Sequence, residues 1–146
     1  MRHEINERSY GVVPLAMREG ELYALVVQQR SSSWHLPKGH PELSETPQET
    51  AERELKEETN LDIERWLSSQ PFVERYSFYR GTKRVNKEVQ YFPALVCGIE
   101  RIPSEEILAG RWVKYADLPT AVTFPELRRL AGEVVRWVES YQPPLQ

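Results

Sequence analysis

The chain has 146 residues, 40% of them hydrophobic and 28% charged, with 19 Lys and Arg against 22 Asp and Glu for a net charge of −3. That size and balance predict a globular protein with one full hydrophobic core, a single domain over residues 1–146, and exclude a disordered or collagen-like chain. The opening MRHEINERSYG is charged and lacks an apolar leader, and no run approaches a membrane span, so a cytoplasmic protein is expected. Cys97 is the one cysteine, which excludes an internal disulfide; its apolar surroundings predict an inert core thiol.

Residues 10–17 and 22–28 are apolar, β-branched runs separated by Arg18-Glu19-Gly20-Glu21, which predicts a hairpin. After Ser31-Ser32-Ser33 comes Trp34-His35-Leu36-Pro37-Lys38-Gly39, with Trp34 expected in the core. Thr46-Pro47-Gln48-Glu49 has a capping threonine, a proline at the first helical position and a glutamate at the third, opening a helix over residues 47–59. Residues 72–79 and 88–96 read as strands joined by Arg80-Gly81-Thr82-Lys83-Arg84, with Tyr91 a structural residue, and 110–113 as a short strand. Leu127, Leu130, Ala131, Val134, Val135 and Val138 recur at helical spacing, predicting an amphipathic helix over residues 125–141. Strands with a helix in their midst and another at the end predict an α+β arrangement, with helices on either side of a mixed β-sheet.

The first helix carries the chemistry. At roughly 100° per residue, Glu54, Glu57 and Glu58 fall within one arc of about 100°, while Ala51 and Leu55 face the core. Like charges three and four residues apart destabilise a helix, so something must offset them. A hard divalent cation does so, because magnesium and manganese take oxygen ligands. Arg53 borders the arc, where it can pair with Glu49 or Glu57 or reach back to Glu45 and orient the carboxylates. Residues 45–58 hold six acids and two bases, leaving the rest of the chain about neutral. The acidity is local, which suits a cation site better than a generally acidic surface. Alone, such a run reads as a solvated acidic face. The histidines at 3, 35 and 40 lack helical ligand spacing, so no zinc site is expected.

The register with Gly39 decides between these readings. Gly39 is followed after five residues by Glu45, and after seven more by Arg53-Glu54-Leu55-Lys56-Glu57-Glu58, with Asn60-Leu61 closing. This resembles the Nudix box, GX5EX7REUXEEXGU, whose fixed positions fall into register by chance on the order of once in a million chains of this length. Asn60 stands where the pattern has glycine; asparagine is the usual second choice for a left-handed helix end. The resemblance implies the Nudix fold, an α/β/α sandwich, and metal-dependent hydrolysis of a nucleoside diphosphate linked to another moiety, with Mg2+ or Mn2+. By motif position it makes Glu54, Glu57 and Glu58 metal ligands, Glu54 also a candidate base alongside Glu58, and Glu45 and Arg53 supporting groups. Glu106 resembles the acid that many relatives place opposite the box.

Three further stretches, WHLPKGH at 34–40, KEVQYF at 87–92 and TFPELRRL at 123–130, resemble the asymmetric diadenosine tetraphosphate hydrolases, particularly bacterial ones. That resemblance implies cleavage of diadenosine tetraphosphate to ATP and AMP. Lys38, beside Gly39, and Lys87 would meet the polyphosphate, and Tyr76 and Phe124 would stack the adenine ring. The expected partner is a small nucleoside polyphosphate, with neither a membrane nor a protein. The alternatives are an RNA 5′-triphosphate pyrophosphohydrolase, which the neutral remainder of the chain disfavours, and a nucleotide-sensing module without turnover, in which degenerate box carboxylates would be expected.

Overall fold

A computed structural model of the protein describes residues 3–141, and among these eight strands form one sheet. The first expected hairpin is present, its strands longer than the apolar runs but its ladder short: β1 (Glu4–Arg18) pairs antiparallel with β2 (Glu21–Gln29) from Leu15↔Ala24 to Arg18↔Glu21. The two turn residues, Glu19 and Gly20, have φ of 53° and 81°. Such paired left-handed residues give a tight turn whose twist matches that of the strands it joins.

β1 also runs parallel to β7 (Lys83–Cys97), in register from Glu4↔Arg84 to Leu15↔Leu95. The other edge of β7 takes β6 (Phe72–Arg80), through a turn closed by Arg80↔Lys83, and then β5 (Asp62–Trp66). On the far side, β2 pairs with β3 (Trp34–His35) and β8 (Ile107–Lys114), while the two-residue β4 (Lys38–Gly39) pairs with Gly11 and Tyr10 of β1. One parallel pairing among antiparallel ones makes the sheet mixed, and the fold is α+β, as expected.

Side-chain alternation along β1 and β2 feeds two cores, one on each face. Val13, Leu15, Ala24 and Val26 meet Leu127, Leu130, Ala131 and Val134 of α3 (Pro125–Ser140), with the short α2 (Leu118–Ala121) beside it. Val12, Leu25 and Val27 meet Ala51 and Leu55 of α1 (Pro47–Thr59). Each buried valine or leucine among these contributes about 1.5–3 kcal/mol, and β1 and β2, covered on both faces, seat α1 on the sheet. No helix among the described residues is long and apolar enough to cross a membrane.

Three expectations are corrected. β1 and β7 each begin several residues earlier than their apolar runs, because their polar starts pair with each other in parallel. β5 was not expected; it carries Asp62, Glu64 and Arg65 and is held by pairing to β7 across a bulge. Cys97 is no core thiol: the buried run ends at Val96, and Cys97, the last residue of β7, is exposed.

Candidate active site

Both ends of α1 are fixed by local chemistry. Thr46 Oγ1 accepts the Glu49 N–H at 3.2 Å and the Glu49 carboxylate accepts the Thr46 N–H at 2.8 Å, a complete capping box. At the other end Asn60 is left-handed, with φ 68°, and donates its N–H to the Lys56 carbonyl. Its side-chain amide donates to the Ile99 carbonyl at 2.8 Å, a tie that glycine could not make.

The acids of α1 do not all sit on an exposed edge, as the helix geometry alone suggested. Glu57 is exposed, but Glu54 and Glu58 are only 9% and 5% exposed: α1 packs on β1 and β4, and Gly39 of β4 lies against the Glu54 carboxylate. Burial pushes the Glu54 carboxyl up, with Glu57 adding and Arg53 opposing. Burial, then the Glu54 charge, push Glu58 up to about 8, against the pull of Lys38. Two buried carboxyls that repel each other and resist ionisation are in the state a bound cation would relieve.

Arg53 orders the acids around it. Its Nε and Nη2 donate to Glu45 at 2.6 and 3.1 Å, its Nη1 to Glu54 at 2.9 Å and Glu57 at 3.0 Å, and its Nη2 also to the His40 carbonyl. Glu49, the other partner considered, is engaged in the cap. Glu45 accepts in addition from the Glu42 N–H and the Thr50 hydroxyl, and the Arg53 hydrogen bond foremost holds its pKa down at about 2. Glu45 therefore stays ionised and orients Arg53, which in turn orients Glu54 and Glu57.

Glu54, Glu57, Glu58 and Glu106 line one cavity of about 830 Å³ together with Lys38 and Gly39. Two residues that the sequence did not single out shape it. Arg30 donates to the carbonyls of Ser104 and Glu105 at 3.0 and 3.1 Å, pinning the loop that carries Glu106. Ser9 contributes a buried Oγ without a hydrogen-bond partner among the described residues. Neither had a legible signal: one is a base beyond a strand end, the other a serine in a polar stretch.

Among the described residues no three His, Cys, Asp or Glu side chains already converge as a metal-binding group. Arg53 engages both Glu54 and Glu57, and unneutralised carboxylates spread apart. The donor set, carboxylates with an unpartnered buried hydroxyl nearby, nonetheless suits a hard divalent cation, which Glu54, Glu57 and Glu58 would hold.

Two further cavities adjoin. Lys87 is buried, donates from Nζ to His40 Nε2 at 2.8 Å and lies 3.7 Å from Glu7. Burial, then Lys38, lower its pKa. It lines a cavity of about 430 Å³ with Tyr76 and Arg75, not the acidic one. Tyr76 also lines a third cavity, of about 290 Å³, with Phe124, His35, Glu74 and Glu126, so the two expected stacking residues share one pocket. Phe124 is 47% exposed, with its ring centroid 5.4 Å from that of His35. Lys38 lines the acidic cavity, and its charge also acts on Glu74 and His35 of the aromatic one, as on Glu58 and Lys87.

The sequence profile of the NUDIX domain matches residues 6–138. MutT4 of Mycobacterium tuberculosis (strain CDC 1551 / Oshkosh) is 34% identical over 129 residues, which are 86% of this chain and 51% of MutT4, so the chain spans about half the length of that relative. An RNA pyrophosphohydrolase of Erythrobacter litoralis (strain HTCC2594) is 27% identical over 150 aligned residues, 91% of each chain. Among solved structures, the Ap4A hydrolase of C. elegans in a binary complex has a TM-score of 0.71 at 19% identity, covering 92% of this chain and 99% of that one, a likeness of fold. The profile takes in all of the sheet but the first two residues of β1, α1 with its acids and nearly all of α3, and the chain belongs to the Nudix family.

Proposed function

We propose that the protein hydrolyses a nucleoside polyphosphate, with diadenosine tetraphosphate cut asymmetrically to ATP and AMP as its substrate and Mg2+ or Mn2+ as its cation. The observation that supports this most is an acidic cavity that holds Lys38, together with an aromatic one whose Glu74 and His35 feel the Lys38 charge. A phosphate chain needs the first and a base needs the second. A bound divalent cation would neutralise the phosphates and activate the attacking water.

The chain's own residues do the rest. Lys38 attracts the phosphates from beside the acids, while Lys87, hydrogen-bonded to His40 Nε2, extends positive potential toward the neighbouring cavity. Glu54 is the candidate base: burial moves its carboxyl toward the range in which a base can take a proton near neutrality. The attacking water forms a P–O bond, a bridging P–O bond breaks, and the water proton passes to the base. Glu58 shares the ligand role, Glu106 lines the same cavity from the loop before β8, and Arg53 with Glu45 keeps Glu54 and Glu57 in position. Tyr76 and Phe124 take the adenine.

The relative named RNA pyrophosphohydrolase supports a second reading, removal of pyrophosphate from an RNA 5′ end. The two separate on a panel of dinucleoside polyphosphates, nucleoside triphosphates and 5′-triphosphorylated RNA, with products resolved by chromatography. The first reading expects the highest kcat/KM on diadenosine tetraphosphate and a rate on that small substrate insensitive to salt. A preference for RNA that falls steeply with salt would favour the second, and binding without products would mark a sensor.

A further inference from the structure

β6 presents Phe72 and Tyr76 to the core under α3, where Phe72 meets Trp137 with ring centroids 5.9 Å apart. The position between them on the same face, which strand alternation reserves for an apolar residue, is Glu74. Its side chain is 95% buried, being 5% exposed, and opens on the aromatic cavity beside Tyr76 and Phe124. Among the described residues its hydrogen bond comes from the Tyr91 hydroxyl at 3.5 Å, the outer limit for such a bond. A carboxyl buried with so little compensation costs stability that a leucine there would not, and it faces the one small pocket framed by both candidate stacking rings.

We infer that Glu74 is the specificity-determining residue of this pocket, its carboxyl group accepting the exocyclic amine of an adenine stacked on Tyr76 and Phe124. The inference rests on the reading that this pocket takes the base. Stacking accepts any base, because every base has a π face, so discrimination must come from a polar group at the ring edge. Around Glu74 stand Tyr91 from β7, Glu126 from α3 and Lys38 from β4. Burial pushes its carboxyl up, with Lys38 opposing and Glu126 adding. In the protonated form one oxygen donates to adenine N1 while the other accepts from the N6 amine. A glutamine amide has the same donor and acceptor pair. The Tyr91 hydroxyl donates to Oε1 and so fixes it as the accepting oxygen, leaving the proton on the other. Against that fixed order hypoxanthine and guanine, each with a carbonyl at position 6 and a hydrogen on N1, set acceptor against acceptor and donor against donor.

Equilibrium binding of ATP, ITP and GTP in EDTA, by calorimetry on the wild type, Glu74→Gln and Glu74→Leu, tests this without turnover. The wild type should bind ATP at least about tenfold more tightly than ITP or GTP, a modest return for a paired base edge. Glu74→Gln should keep that preference and Glu74→Leu should reduce it to within about twofold, while melting no lower than the wild type. Equal wild-type affinities for the three nucleotides, or an undiminished preference in a folded Glu74→Leu, would overturn the inference. The wild-type comparison stands even if the leucine variant fails to fold. A separate assay of dinucleotide cleavage distinguishes the two levels: adenine preference without cleavage would contradict the proposed reaction and leave Glu74 as base reader, and cleavage without base preference would do the reverse.

Discussion

The carboxylate of Glu54 lies directly against the Cα of Gly39: a β carbon at position 39 would overlap its carboxyl carbon and both oxygens. The glycine of the motif is therefore a space requirement across two elements, β4 and α1, rather than a turn requirement. Because the obstructed group is the end of a flexible side chain, Gly39→Ala should leave the fold intact and turn Glu54 out of place. We expect turnover to fall by at least about a hundredfold, with a melting temperature close to the wild type. Wild-type turnover in this variant would show that the position of Glu54 is not critical.

Glu58→Gln and Glu57→Gln should each lower turnover by at least about a hundredfold, because each removes ligand charge. Their stability should differ. The Glu58 carboxyl, raised to about 8 in the fold from an ordinary unfolded value of 4.5, holds a proton between those limits that the unfolded chain has released. Stability from this group is therefore lost as pH rises from 4.5 to 8, by an amount on the order of a few kcal/mol. Glu58→Gln should escape that loss and melt higher than the wild type at pH 8 in EDTA, with the gap closing toward pH 5. Glu57, exposed, should give little change. Thermal melts across pH in EDTA check both, and a Glu58→Gln variant less stable at pH 8 would contradict the burial argument.

Asn60→Gly should be nearly neutral for activity, since both residues accept the left-handed conformation. The side-chain bond to Ile99 is lost, at about 0.5–1.5 kcal/mol for a typical hydrogen bond, and easier backbone strain offsets part of it. Chemical denaturation should show a net change of a few tenths of a kcal/mol. A loss of turnover like that of Glu58→Gln would give Asn60 a role beyond the helix end.

How much of this was legible depended on whether the cause was local. The bounds of α1 followed from Thr46, Pro47, Glu49 and Asn60, all of which act on neighbouring backbone, and the structure reproduces them. The burial of Glu54 and Glu58 was not legible, because it comes from the packing of α1 on β1 and on the two-residue β4, which the period of the helix does not report. The start of β1 was missed for the same reason: Glu4 to Ser9 are strand because Arg84 to Val89 lie alongside. Lys87 was expected only as a base near the polyphosphate; that it is a buried strand residue bonded to His40 depends on the pairing of β7 with β1 and was not legible. Glu74 had a signal, an acid alternating with Phe72 and Tyr76 on one strand face, that periodicity could have flagged.

Replacing Tyr76 or Phe124 with alanine should remove stacking worth about 1–3 kcal/mol per base, with Phe124, half exposed, at the lower end. The loss should appear in KM for diadenosine tetraphosphate and be much smaller for inorganic polyphosphate, which has no base to clamp. Equal losses on both substrates, with circular dichroism unchanged, would show that the clamp lies elsewhere.

The most direct test of the central claim is to incubate the protein with diadenosine tetraphosphate, with Mg2+ or with EDTA, and resolve the products by ion-exchange chromatography. The account predicts equal amounts of ATP and AMP with the cation, none in EDTA, and near loss of both in Glu58→Gln. Two equivalents of ADP, or products that persist in EDTA, would contradict it.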